Sequence, residues 1–138
     1  MTDQLDELHA QVAFTALAAN ANLIHVFDGV VPSPTPDPPY VLIYTRISWP
    51  RDGIGTALSA TQKTITCTYT CHCVGLSPRA ARGVQMEVRA TLLNLRPVVS
   101  GRNCGPLKQD EQLEPDRDES TGRLVVDAIS TYSYTSTG

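Results

Sequence analysis

The stretch "TITCTYTCHCV", residues 64–74, carries the clearest period in the chain. Ile65, Cys67, Tyr69, Cys71 and Cys73 alternate with Thr64, Thr66, Thr68, Thr70 and His72. Successive side chains of a strand point to opposite faces, so this alternation predicts a half-buried strand. One face, rich in sulfur and apolar atoms, is turned to a core. The other is wet or packed against polar neighbours. An isolated strand is not stable in water, so the flanking segments must supply its neighbours and its cover.

Upstream, "YVLIYTRISW" (residues 40–49) is rich in aromatic and β-branched residues and predicts a second strand. Between the two, Pro50 to Lys63 ("PRDGIGTALSATQK") reads as a long loop or an extended hairpin tip, a length that a compact domain seldom keeps without a use. Further back, "VFDGVVPSPTPDPPYVLIY" (residues 26–44) opens with the strand-like end of "LIHVF" and the turn pair Asp28–Gly29. Five prolines follow before or at the approach to Tyr40. A connection so stiff and unpaired, from Val31 to Pro39, reads as a rigid spacer serving contacts that the fold itself does not need. At the N-terminus Thr2 or Asp3 can cap a helix, with Asp6 and Glu7 well placed for its dipole. Leu5, Leu8, Val12, Ala16 and Ala19 form its apolar stripe, and it should end near Asn20 to Asn22.

Downstream, Ser77–Pro78 starts a second helix, with serine at the cap and proline at the first helical position. Ala81, Val84, Val88, Leu92 and Leu95 make its core face, Arg79, Arg82 and Glu87 lie off it, and Pro97 stops it. A short glycine-punctuated strand in "VVSGRNCGPLK" precedes the acidic "DEQLEPDRDESTG", and "RLVVDAISTYSYTS" closes the chain as a last strand. Helices and strands mix without a regular βαβ alternation. The expected fold is a small α/β (α+β) single domain over residues 1–138, with a mixed or antiparallel sheet, two main helices on one face, and long hairpin and loop extensions.

The 138 residues suffice for one hydrophobic core, and 41% hydrophobic with 18% charged residues is a globular composition. A net charge of −3 gives no basic footprint for gripping nucleic acid. No apolar run approaches the ~20 residues needed to cross a bilayer. The start, "MTDQLDELHAQ", lacks the basic-then-apolar order of a signal peptide, so synthesis and folding in a cytoplasm are expected, and cysteines read as thiols before disulfides.

Cys67, Cys71, His72 and Cys73, with Cys104, are the most tempting site for chemistry. Zinc favours ligand pairs on tight turns, whereas these lie on a strand, where residues two apart sit ~6.6 Å from each other and His72 points away from the cysteines. Core packing is the favoured reading, with a metal site, a disulfide or a redox role as alternatives. His9, His25 and His72 fall on regular elements, with no elbow presenting a nucleophile. The carboxylates Asp110, Glu111, Glu114, Asp116, Asp118 and Glu119 have no apolar neighbours to raise a pKa and read as a solvated acidic loop. "DGIG" is too short to cradle a phosphate. No catalytic residue, cofactor or metal is expected. Surface suited to partners remains: Trp49 beside the loop that carries Arg51 and Ile54, of the residue types that dominate interface energetics, and the proline spacer with Pro36 and Pro38.

Through nearly its whole length the chain resembles the tail terminator (tail completion) proteins of long, non-contractile-tailed bacteriophages. The resemblance rests on the N-terminal helix, "VFDGVVP…PPYVLIY", "CVGLSPRAARGVQMEVRATLLNLRPVVSGRNCGPLK" and "GRLVVDAISTYSY". These are patterns of layout and contain no catalytic motif; the cysteine cluster is no part of them. The resemblance implies a virion protein at the neck end of the tail, assembled in the host cytoplasm. Six copies would form a ring that ends polymerisation of the tail tube protein and joins the head connector or stopper, with DNA passing through the lumen without specific binding. The acidic residues from Asp110 to Glu119 would then line that lumen and repel phosphates. A connector or stopper protein is the nearest alternative, and a cysteine-based metal-binding module a more distant one.

Overall fold

The computed structural model describes residues 2–23, 25–32, 36–49, 64–118 and 124–138. Their elements run α1 (Thr2–Ala18), β1 (Val26–Asp28), β2 (Tyr40–Ser48), β3 (Thr64–Gly75), α2 (Pro78–Leu92), β4 (Asn103–Cys104), β5 (Lys108–Gln112), β6 (Asp116–Asp118) and β7 (Val125–Thr137). One mixed sheet orders them β1-β2-β3-β7, and β4, β5 and β6 share the far side of β7. The architecture is α+β: α1 packs on β1 and β2, and α2 packs on β3 and β7, both on the same face of the sheet.

The alternation in β3 sets this arrangement. Ile65, Cys67, Tyr69, Cys71 and Cys73 are all fully buried, and the intervening threonines and His72 are exposed or half-buried. Register carries the same face outward in both directions. Val41 and Ile43 lie opposite Cys73 and Cys71 on β2, while Ala128, Ser130, Tyr132 and Tyr134 lie opposite Cys73, Cys71, Tyr69 and Cys67 on β7. The helices close this face with Ala13 and Leu17 of α1 and Ala81, Val84, Val88 and Leu92 of α2.

The proline-rich connection has a reason inside the fold, contrary to the sequence reading. β1 pairs with β2 in parallel, Val26 opposite Val41 and Asp28 opposite Ile43. Two parallel neighbours cannot be joined by a tight turn, because the chain must travel back to the starting end of the sheet. Gly29, at φ 75°, turns the chain out of β1, and its N–H bonds the Ile43 carbonyl at 2.9 Å. On return, the Pro38–Pro39 bond is cis and Pro38 is buried. The route also lays Val31 and Phe27 over Tyr40, Val74 and Val125, a small second core at one end of the sheet's other face.

Three further expectations change. The stripe Leu8, Val12, Ala16, Ala19 is not the deepest face of α1; His9, Ala13 and Leu17 are completely buried, and Leu8 and Ala19 are exposed. His9 is tolerated there because its Nε2 meets Ser136 Oγ at 2.9 Å, giving a buried polar group a partner. α2 ends at Leu92 and not at Pro97: the Leu93 N–H bonds the Arg89 carbonyl and Asn94 takes φ 68°, the left-handed conformation that terminates helices. Its start is as read, with Ser77 Oγ accepting the Ala80 N–H at 3.1 Å ahead of Pro78. Finally, the acidic segment is not a loop. β5 and β6 pair antiparallel with β7, interrupted by a bulge at Asp110 between Gln109 and Glu111. An open strand edge rewards any backbone that can reach it, and outward side chains stay hydrated, so acidic composition does not prevent pairing.

Candidate interaction surfaces

The face of the sheet turned away from the helices is built of hydroxyls. Thr66, Thr68 and Thr70 of β3 lie opposite Thr135, Ser133 and Thr131 of β7. At one end of this face His72 Nδ1 meets Asp127 Oδ2 at 2.8 Å, and Tyr44 sets its ring edge-on to His72 at 5.5 Å. Below Asp127 a groove of about 530 Å³ is lined by Leu113, Glu114, Asp116 and Ile129.

The acidic residues occupy the sheet edge formed by β5 and β6. Asp110, Glu111, Glu114 and Asp116 are exposed. Glu111 pairs in register with Thr131 and Asp116 with Asp127, which places them on the hydroxyl face, away from the helices. Asp118 closes β6, and Glu119 lies outside the described residues. Of the expected partner residues, Pro36 is half-buried, Pro38 is buried in its own chain, and Trp49 is 43% exposed. Arg51 and Ile54 lie outside the described residues.

Trp49 follows the end of β2, is 43% exposed and belongs to neither hydrophobic cluster. Trp49→Ala is expected to leave thermal stability within ~1 kcal/mol of wild type, the range of partly exposed substitutions. It should at the same time weaken self-assembly if Trp49 anchors an interface. A cooperative unfolding transition lost in the variant would place the ring in the core instead.

Two surfaces were not foreseen from sequence. At the far edge of β2, α1 and the end of β1 bound a slot of about 430 Å³ lined by Asp6, Glu7, Asp28, Ile43, Thr45 and Ile47 among others. Partial burial, followed by the negative charge of Glu7, holds the Asp28 carboxyl above the usual carboxylate range. Between α1 and the segment after α2, Leu8, Val12, Ala16, Leu95, Pro97 and Val98 line an apolar groove of about 440 Å³. Its components are distant in sequence, and the chain turns at Asn94, with φ 68°, between α2 and Leu95.

The cysteines do not gather into a site. All four are buried free thiols, and among the described residues no group of three His, Cys, Asp or Glu side chains is placed to hold a metal. Burial pushes the Cys67 thiol up to about 11 and the Cys71 thiol up to about 12, from the usual 9.0. Because the folded state holds these protons more tightly, the resulting stabilisation is complete below pH 9 and is lost as pH rises from there toward about 12. Denaturation midpoints should therefore be flat from neutral pH to the unfolded thiol pKa and fall above it. Aromatic disulfide reagents should leave the native thiols unmodified at neutral pH and label four after unfolding.

No family model and no curated protein matches the sequence. Solved structures do. The chain superposes on a chain from the virion of a native gene transfer agent particle with a TM-score of 0.72 at 16% identity, over 94% of each chain. A second solved chain matches with a TM-score of 0.61 at 16% identity, over 100% of this chain and 96% of that one. The class defined by these likenesses is a small α+β domain with two helices on one face of a curled mixed sheet. Agreement end to end in both chains makes the fold shared as a whole and not piecewise.

Proposed function

We propose that this chain is a virion structural protein, and within that class a tail terminator: a subunit of a six-membered ring that caps the tail tube, ends its polymerisation and joins it to the head connector. The observation that carries this reading is the likeness over 94% of both chains to a component of a gene transfer agent virion. The layout resemblance along the sequence supports the same assignment independently. In this reading the chain performs no reaction. Its partners are further copies of itself, the tail tube protein and the connector or stopper, and it resides at the neck end of the tail after assembly in the host cytoplasm. Trp49, with Pro36, Arg51 and Ile54, belongs to the contacts between proteins.

The hydroxyl face with its acidic margin suits a lumen. Threonine and serine hydroxyls offer DNA no fixed charge, and Glu111, Asp116 and their neighbours Asp110, Glu114 and Asp118 repel phosphates. DNA then passes without sticking.

The test is electron microscopy of particles made when the gene is inactivated. A terminator's loss yields filled heads and unjoined tail tubes of uncontrolled length. Unjoined tails of normal length would instead assign the chain to the connector or stopper on the head side, and intact infectious particles would remove it from the neck altogether.

A further inference from the structure

We infer that the edge of β2 beyond β1 is a guanidinium-binding slot, and that its occupant is the arginine-bearing flank of α2 on a second copy of this chain. The inference rests on the ring-forming reading above and names the contact that would build the ring.

The slot begins where β1 ends. The Val41 N–H bonds the His25 carbonyl and the Ile43 carbonyl accepts the Gly29 N–H, so odd-numbered residues of β2 direct their backbone groups toward β1. By the same alternation Thr45 and Ile47 direct theirs outward, and no strand among the described residues covers them. Thr45 Oγ1 is also buried there without a hydrogen-bond partner. Above this edge stand Asp6 and Glu7 of α1, and beside it Asp28. Carboxylates and outward carbonyls are acceptors that a guanidinium, with five N–H donors in a planar fork, can satisfy together. A cation seated there would also relieve the crowding of Glu7 on Asp28.

The opposite side of the subunit supplies that group. Gln85 of α2 donates to the Leu113 carbonyl and to Ser130 Oγ, which turns its flank of the helix toward the β5–β6 edge. Arg82 and Arg89 stand three before and four after Gln85, on the same flank, and both are exposed. Neither forms an ion pair with a carboxylate among the described residues. Slot and arginines thus lie on the two opposite margins of one sheet, the β1–β2 side and the β5–β6 side. Complementary surfaces on opposite margins give head-to-tail contacts, which close into rings when the rotation allows. The carboxylates of β5 and β6 that face the hydroxyl side are separated from this contact by the sheet.

The experiment reverses each surface in turn. The variant Arg82→Glu with Arg89→Glu, and the variant Glu7→Arg with Asp28→Arg, alter exposed positions and are confirmed as folded by circular dichroism. Self-association is followed by sedimentation and native mass spectrometry at high protein concentration and low ionic strength, and by electron microscopy on tail-tube ends. Each variant alone should associate roughly 100-fold more weakly than wild type. An equal mixture of the two should recover assembly, because every neighbour contact then pairs opposite charges. Association should also weaken steeply with added salt. Variants that assemble as well as wild type, or a mixture that recovers nothing, overturn the slot while leaving the ring reading intact. A wild-type chain that stays monomeric in solution and at tube ends overturns both.

Discussion

Tyr69→Ala is expected to destabilise the protein by about 3–5 kcal/mol, the range for removing a buried aromatic ring. Tyr69 is completely buried at the middle of β3, where α1 crosses the sheet. Its hydroxyl donates to the His9 carbonyl and is 3.1 Å from the Tyr134 hydroxyl. Since Tyr69 spends its one proton on His9, Tyr134 is the donor in the second bond. The two rings are 5.8 Å apart and tilted by 43°, so the substitution opens a cavity and strips partners from Tyr134 and His9 together. A domain of this size has only about 5–15 kcal/mol of net stability, so the loss is a large share of it. Tyr69→Phe keeps the ring and should cost about 1–3 kcal/mol, the penalty of leaving buried partners unsatisfied. Urea unfolding followed by tyrosine fluorescence and circular dichroism measures both. A loss under ~1 kcal/mol for the alanine variant would contradict the described core.

Gly75→Ala is the second large effect, by overpacking. Gly75 ends β3, three residues before α2 begins, and a Cβ placed on it would lie 2.6 Å from the Ala81 nitrogen and 2.8 Å from the Ala80 carbonyl carbon. Those are backbone atoms of the first turn of α2, which cannot swing aside as a side chain can. The first turn must shift or β3 must part from Val126, its register partner on β7. A cost of about 3 kcal/mol is expected, at the upper end of overpacked sites. Gly83→Ala is the control, since a Cβ there meets nothing within 4 Å and alanine is the better helix former. It should be neutral or stabilising. Equal midpoints for the two variants would show that the approach of α2 to β3 is looser than described.

Where the sequence was legible, a single interaction dominated. The threonine–cysteine alternation of β3 needs only the pleat of a strand, and Ser77–Pro78 needs only local capping geometry; both are observed. α1 misled because "HAQVAFTALA" is apolar on several sides. Two phases of the stripe fit, and the decisive contact, His9 with Ser136, spans nearly the whole chain. The same holds for β5 and β6, whose strand character comes from the free edge of β7 and not from their own residues. The proline connection was seen as long and stiff, but its purpose depended on β1 running parallel to β2, which no local pattern encodes. The slot at Thr45 and Ile47 was invisible for the same reason: it exists because β1 is only three residues long.

Tail tubes polymerised in the presence and absence of this protein, viewed by negative-stain electron microscopy, test the central claim most directly. The terminator account predicts tubes that stop growing and carry a thin extra ring at one end. Tubes that lengthen regardless, with no protein at their ends, would contradict it.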